Sequence, residues 1–126
     1  MKPRDLLKQL SAGRIALGAA MIAKPPLVTS GWVGQVADRP GGHVLARALG
    51  ARDAALGALT LAAMQSGQPL KPLVLAGLVC DGTDLLATHA VRQGLPRAAA
   101  PLIYALAGGA LLVGAANLAD SEPPQS

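Results

Sequence analysis

The stretch Ala48-Leu49-Gly50-Ala51-Arg52-Asp53-Ala54-Ala55-Leu56-Gly57 sets an arginine and an aspartate side by side in the middle of an Ala/Leu/Gly run. A second run holds two more carboxylates in Cys80-Asp81-Gly82-Thr83-Asp84. Ala and Leu dominate both and β-branched residues are few, which favours helix over strand. Outward from these runs, proline and glycine divide the chain into four apolar segments. The first spans about Asp5 to Ala23 and is stopped by Pro25 and Pro26, which cannot continue a helix. The second, about His43 to Gln65, follows Gly41 and Gly42 and ends before Gly67, a residue suited to a left-handed C-terminal cap. The third begins near Pro69 or Pro72 and closes at Gly94; the fourth runs from Pro96 or Pro101 to about Ala119. Lys24 to Gly42 reads as the one long loop, and Asp120 to Ser126, with Pro123 and Pro124, as a loose tail.

Each segment has about 19 to 23 residues, and about 20 cross a hydrocarbon core near 30 Å thick. The expected fold is therefore all-α, a four-helix transmembrane bundle forming one domain over residues 1–119. Composition agrees: 52% of the 126 residues are apolar and 14% charged, where soluble domains carry about 25% charge. Cys80 alone excludes a disulfide framework, and with Trp32 and Tyr104 as the only aromatic residues, base stacking is excluded as well. The net charge is +4, but Lys2, Arg4, Lys8, Lys24, Arg39, Lys71, Arg92 and Arg97 are spread beside and between the apolar segments, as suits helix ends meeting lipid headgroups. The bilayer is the expected partner and nucleic acid is not. The N-terminus fails as a cleaved signal, because Arg14 interrupts its apolar core and Met21 before Ala23 is a poor cleavage site. Four flanking cations fall on each side of a four-span bundle, so charge bias gives no orientation; the first helix alone would put both termini in the cytoplasm. Trp32 reads either as an interfacial anchor or as packing over the helix ends.

Arg14, Arg47, Arg52, Asp53, Asp81, Asp84 and His89 all lie within apolar segments, where one charge at the bilayer centre costs roughly 2.5–3.5 kcal/mol. Three of them, Arg47, Arg52 and Asp53, make insertion of the second segment marginal, which leaves a soluble helical bundle as the alternative fold. Residues equally distant from a short antiparallel turn share a depth. With the turn at Gln68, Arg52 faces Asp84 and Arg47 pairs in depth with His89. Asp81 lies one turn from Asp84 on the same helix face. Folding the first segment back puts Arg14 near the depth of Asp53. Five charges then share one layer, and two arginines against three aspartates leave an imbalance that a proton on Asp81 or Asp84 would settle. Tyr104, about nine residues past the last turn, falls near the depth of Leu86 and reads either as a hydroxyl lent to the network or as core with a satisfied tip. Rows of small residues at four-residue spacing, Ala12/Ala16/Ala20, Ala54/Ala58/Ala62 and Ala110/Gly114, permit close helix approach, although an Ala-rich chain also generates them by chance.

Asp81-Gly82-Thr83-Asp84 spells a D-x-x-D pair of the kind that holds magnesium against diphosphate, but only Asp53 is left to complete a ligand set, so no metal site is expected. His43, His89 and Cys80 lack zinc spacing. P-loop, dinucleotide and nucleophile-elbow patterns are absent, and no cofactor is expected.

Gly13-Arg14-Ile15-Ala16-Leu17-Gly18, closing at Pro25 and Pro26, resembles the first helix of small DoxX-like four-span membrane proteins. Residues 48–57 with 80–84 are similar to helices two and three of an uncharacterised branch of that group. The resemblance implies a four-helix membrane bundle with no established reaction, and the matching positions are Arg14, Arg52, Asp53, Asp81 and Asp84. Taken together, the sequence points to a multi-pass inner (plasma) membrane protein that binds a small apolar ligand or a helical partner, with the charged layer fixing the bundle. The rival is a small membrane enzyme in which Asp81 or Asp84, tuned by Arg52, acts as general acid on an isoprenoid- or quinone-like substrate. Proton-coupled transport would need more helices than four, and hence a homo-oligomer.

Overall fold

A computed structural model describes residues 1–121, and among these the secondary structure is entirely helical. There are five α-helices: α1 (Pro3–Ala23), α2 (Pro25–Val33), α3 (Pro40–Gln65), α4 (Lys71–Ala90) and α5 (Ala99–Ser121). Four of them start on a proline in the first turn, where the missing N–H would be unsatisfied in any case. α3 ends as its glycine predicts: Gly67 takes φ +69°, and the Gln68 N–H returns to the Ala63 carbonyl at 2.9 Å, closing a Schellman motif.

Several boundaries differ from expectation. The stretch read as one long loop is mostly helical, since α2 starts one residue after α1 and a 3-10 turn, Gly34–Asp38, joins it to α3. Pro25 and Pro26 stop α1, but as first-turn residues they also start α2. α3 begins at Pro40 rather than His43, and α4 ends at Ala90, with a short 3-10 turn at Arg92–Gly94. Asp120 and Ser121, read as tail, belong to α5; the rest of that tail, with Pro123 and Pro124, lies outside the described residues. Among the described residues three helices rather than four, α1, α4 and α5, are long and apolar enough to cross a membrane. α3 has the length, 26 residues or about 39 Å, but Arg47, Arg52 and Asp53 dilute its apolar character.

α1 packs chiefly on antiparallel α3, and α4 on antiparallel α5; α1–α5 and α3–α4 contacts close the ring, leaving α1 and α4 diagonal to one another. Buried positions on α1 (Leu7, Ser11, Gly18, Met21) and on α3 (Gly42, Ala46, Gly50, Asp53, Gly57, Thr60, Ala63) are spaced by three, four or seven residues, which keeps them on one face of each helix. Glycines make the close approach of α1 to α3 possible. A Cβ on Gly50 would lie 2.6 Å from the Gly18 carbonyl oxygen, and one on Gly57 would collide with the Ser11 carbonyl. The alanine rows do not form this seam: Ala12, Ala16, Ala58 and Ala62 are exposed, although Ala54 borders Gly18. Ala110 and Gly114 are buried, and Gly114 receives Leu78 of α4. Both ends of the α1–α3 pair are also tied, by Arg4 Nη2 donating to the Met64 carbonyl (3.3 Å) and Arg47 Nε to the Ile22 carbonyl (3.1 Å).

The exterior is apolar where a soluble protein's would be polar. Leu112, Val79, Leu86 and Val44 are each about two-thirds exposed or more, while Asp53 and Asp81 are buried. The hydroxyls of Thr29, Thr60 and Thr83 donate to the carbonyls four residues earlier, so they need no water. An apolar outside, a charged inside and three span-length helices are the marks of a membrane protein.

Candidate functional site

The five charged residues expected to share a layer are brought together. Arg52 of α3 faces Asp84 of α4 and donates twice, Nη1 to Oδ1 at 3.2 Å and Nη2 to Oδ2 at 2.7 Å. The depth match of Arg14 with Asp53 also holds, with Nη1 to Oδ1 at 3.6 Å. The stronger partner of Arg14, however, is Asp81 on the diagonal helix α4. Nη1 donates to Oδ1 at 3.1 Å and Nη2 to Oδ2, with only 12% and 8% of the two side chains exposed. Counting depth along neighbouring helices does not reveal this pair. Gly77, one turn before Asp81, makes room for it: a Cβ there would stand 3.4 Å from Arg14 Nη2.

Two fork-to-fork pairs therefore set the Nη1 and Nη2 of each guanidinium on Asp81 and Asp84, while Arg52 Nε is buried without a hydrogen-bond partner. Asp53 receives what is left, Arg52 Nη2 at 3.3 Å and Arg14 Nη1 at 3.6 Å, both on Oδ1. The carboxylate in excess is thus Asp53, not Asp81 or Asp84 as the sequence reading has it. Among the described residues no three His, Cys, Asp or Glu side chains converge as metal ligands.

The secondary polar residues stand elsewhere. Arg47 and His89 do not meet: Arg47 caps the end of α1 through the Ile22 carbonyl. His89 Nδ1 instead contacts the Tyr104 hydroxyl at 2.5 Å, and Arg92 donates to the His89 carbonyl at 2.7 Å, all three on the exposed α4–α5 flank. Tyr104 contributes nothing to the charged layer. Trp32 packs over the helix ends, as one of its two expected readings has it, and its indole N–H donates to buried Thr88 Oγ1 at 3.0 Å, pinning α2 to α4.

The layer divides the interior into unequal halves. Towards the α1 N-terminus the helices close up, leaving a void of about 20 Å³ beside Arg14 and Asp81, room for a single water. Towards α2 they part around a cavity of about 380 Å³, within the roughly 300–1,000 Å³ range of small-molecule sites. Leu10, Leu17 and Met21 of α1 and Leu102, Ile103 and Leu106 of α5 form its long walls, and Val28 and Trp32 of α2 cover one end. Its polar wall is the charged layer: among the described residues, Arg14, Arg52, Asp53, Asp81 and Asp84 are the ionisable ones that line it. Nothing in the linear pattern announces this space, because it depends on how far α3 and α4 stand apart. No family model, curated protein or solved structure matches the chain.

Proposed function

We propose that this chain is a multi-pass plasma-membrane protein of DoxX-like kind whose four long helices cross the bilayer and hold a small, largely apolar ligand in the cavity between the charged layer and α2. The carrying observation is the cavity itself, apolar on its long walls with one ionic wall, the lining expected of a site that orients an amphiphilic molecule. The reading of α3 as the fourth span rests on direction: Arg52 and Asp53 face inward onto partners, while Val44, Leu45 and Leu59 face outward. The two fork-to-fork pairs lock α1 and α3 to α4 and keep the cavity open. An enzyme with Asp81 or Asp84 as general acid is less well supported, because each accepts two N–H bonds from an arginine and is placed as an ion-pair partner rather than a proton donor.

The test uses Trp32, the single tryptophan, as reporter. Purified protein in lipid nanodiscs is titrated with bromodecanol, whose bromine quenches a nearby indole. Saturable quenching is expected, and Ala107→Leu, which narrows the cavity from a buried wall position, should abolish it. Quenching that is unsaturable, or unchanged by Ala107→Leu, rejects the binding reading.

A further inference from the structure

We infer that the cavity's occupant is a monocationic amphiphile, an apolar body ending in one ammonium centre seated against Asp53. This rests on the reading of the cavity as a ligand site and adds the chemistry of the ligand's head.

The inference comes from a charge count with geometry attached. The cavity wall carries Arg14 and Arg52 against Asp53, Asp81 and Asp84, an excess of one negative formal charge, with no other ionisable side chain among the described residues on the lining. The excess has an address. Asp81 and Asp84 are each spanned by one guanidinium fork, whereas Asp53 accepts a single hydrogen bond, from Arg52 Nη2 on Oδ1, has Arg14 Nη1 at 3.6 Å from the same oxygen, and accepts no hydrogen bond from either arginine on Oδ2. An anionic head would add to the excess, and a neutral head would leave it to be met by a proton, in a site of low dielectric where one charge weighs far more than in water. A single positive head balances it. The rest of the molecule would lie along the Leu and Ile side chains of α1 and α5, away from the ionic wall.

The experiment is a matched series in nanodiscs read by quenching of Trp32: bromodecyltrimethylammonium, bromodecanol and bromodecanoate, each corrected by the Ala107→Leu protein for bilayer partition. The ammonium should bind tighter than the alcohol by about tenfold or more, with the carboxylate weakest. Asp53→Asn should bring ammonium affinity down to that of the alcohol, and Asp53→Glu should keep the ammonium preference. Equal affinity of ammonium and alcohol in the parent protein, both lost in Ala107→Leu, overturns the inference, because the excess is then met by a proton on Asp53; the apolar-ligand reading survives that result. A carboxylate that binds best also overturns it. Quenching that Ala107→Leu does not alter for any probe removes the ligand site, and the inference with it.

Discussion

Replacing Arg14 by Met should be among the most damaging single changes available to this fold, while replacing Asp53 by Asn should be nearly silent, although both remove one charge from the same layer. The difference follows from the pairing. Without Arg14, Asp81 loses both of its N–H donors at a position where 8% of its side chain is exposed, and the layer moves from one excess negative charge to two. Removing one partner of a buried ion pair costs about 3–5 kcal/mol, a factor of roughly a hundred or more in the folding equilibrium. Asp53→Asn instead cancels the excess and leaves both fork-to-fork pairs intact, and the amide oxygen can still accept from Arg52 Nη2. Its expected change is within about 1 kcal/mol, the scale of one hydrogen bond exchanged for another. Combining Arg14→Met with Asp81→Leu should recover most of the loss, since apolar groups replace both members of the pair. Unfolding by SDS titration in mixed micelles, followed by helix circular dichroism, measures all four proteins. Equal losses for Arg14→Met and Asp53→Asn, or no recovery in the double variant, would refute the assignment of Asp53 as the excess carboxylate.

Gly18→Val should separate α1 from α3, because a Cβ there has the Ala54 nitrogen 2.8 Å away; a loss of at least about 1–3 kcal/mol is expected in the same titration. Gly108→Ala, with nothing within 4 Å, should gain up to about 1 kcal/mol of helix propensity. Trp32→Phe removes the bond to Thr88, should cost about 1 kcal/mol, and should raise hydrogen-exchange rates in α2 while leaving α3 unchanged. In a Cys80→Ala background, Lys2→Cys and Gln68→Cys should label with an impermeant thiol reagent from one side of the membrane, and Gln35→Cys and Gln93→Cys from the other. If Gln35→Cys and Gln68→Cys label from the same side, α3 does not cross.

The legibility of the charged layer and its limits have one geometric cause. Counting residues from a turn yields depth, and depth alone finds Arg52 opposite Asp84 and Arg14 beside Asp53, because one charged layer in a helical bundle is a matter of height. Direction around the helix axis needs a further 100° per residue. Arg47 lies five residues from Arg52, about 140° away around α3, so it turns to the end of α1 and never reaches His89. The alanine rows mislead for a related reason: small residues every four positions are common in such a chain, but only glycine tolerates a carbonyl as close as those between Gly18 and Gly50.

Composition, proline and glycine punctuation and the placement of charges within apolar runs determine by themselves that this protein is helical, lipid-compatible and internally charged, since each is a local property of the chain. Which arginine meets which aspartate, that Arg14 crosses the bundle to Asp81, and that space opens on one side of the layer were decided only by tertiary structure. These depend on the distances and rotations between helices, which are set by contacts among residues far apart in sequence.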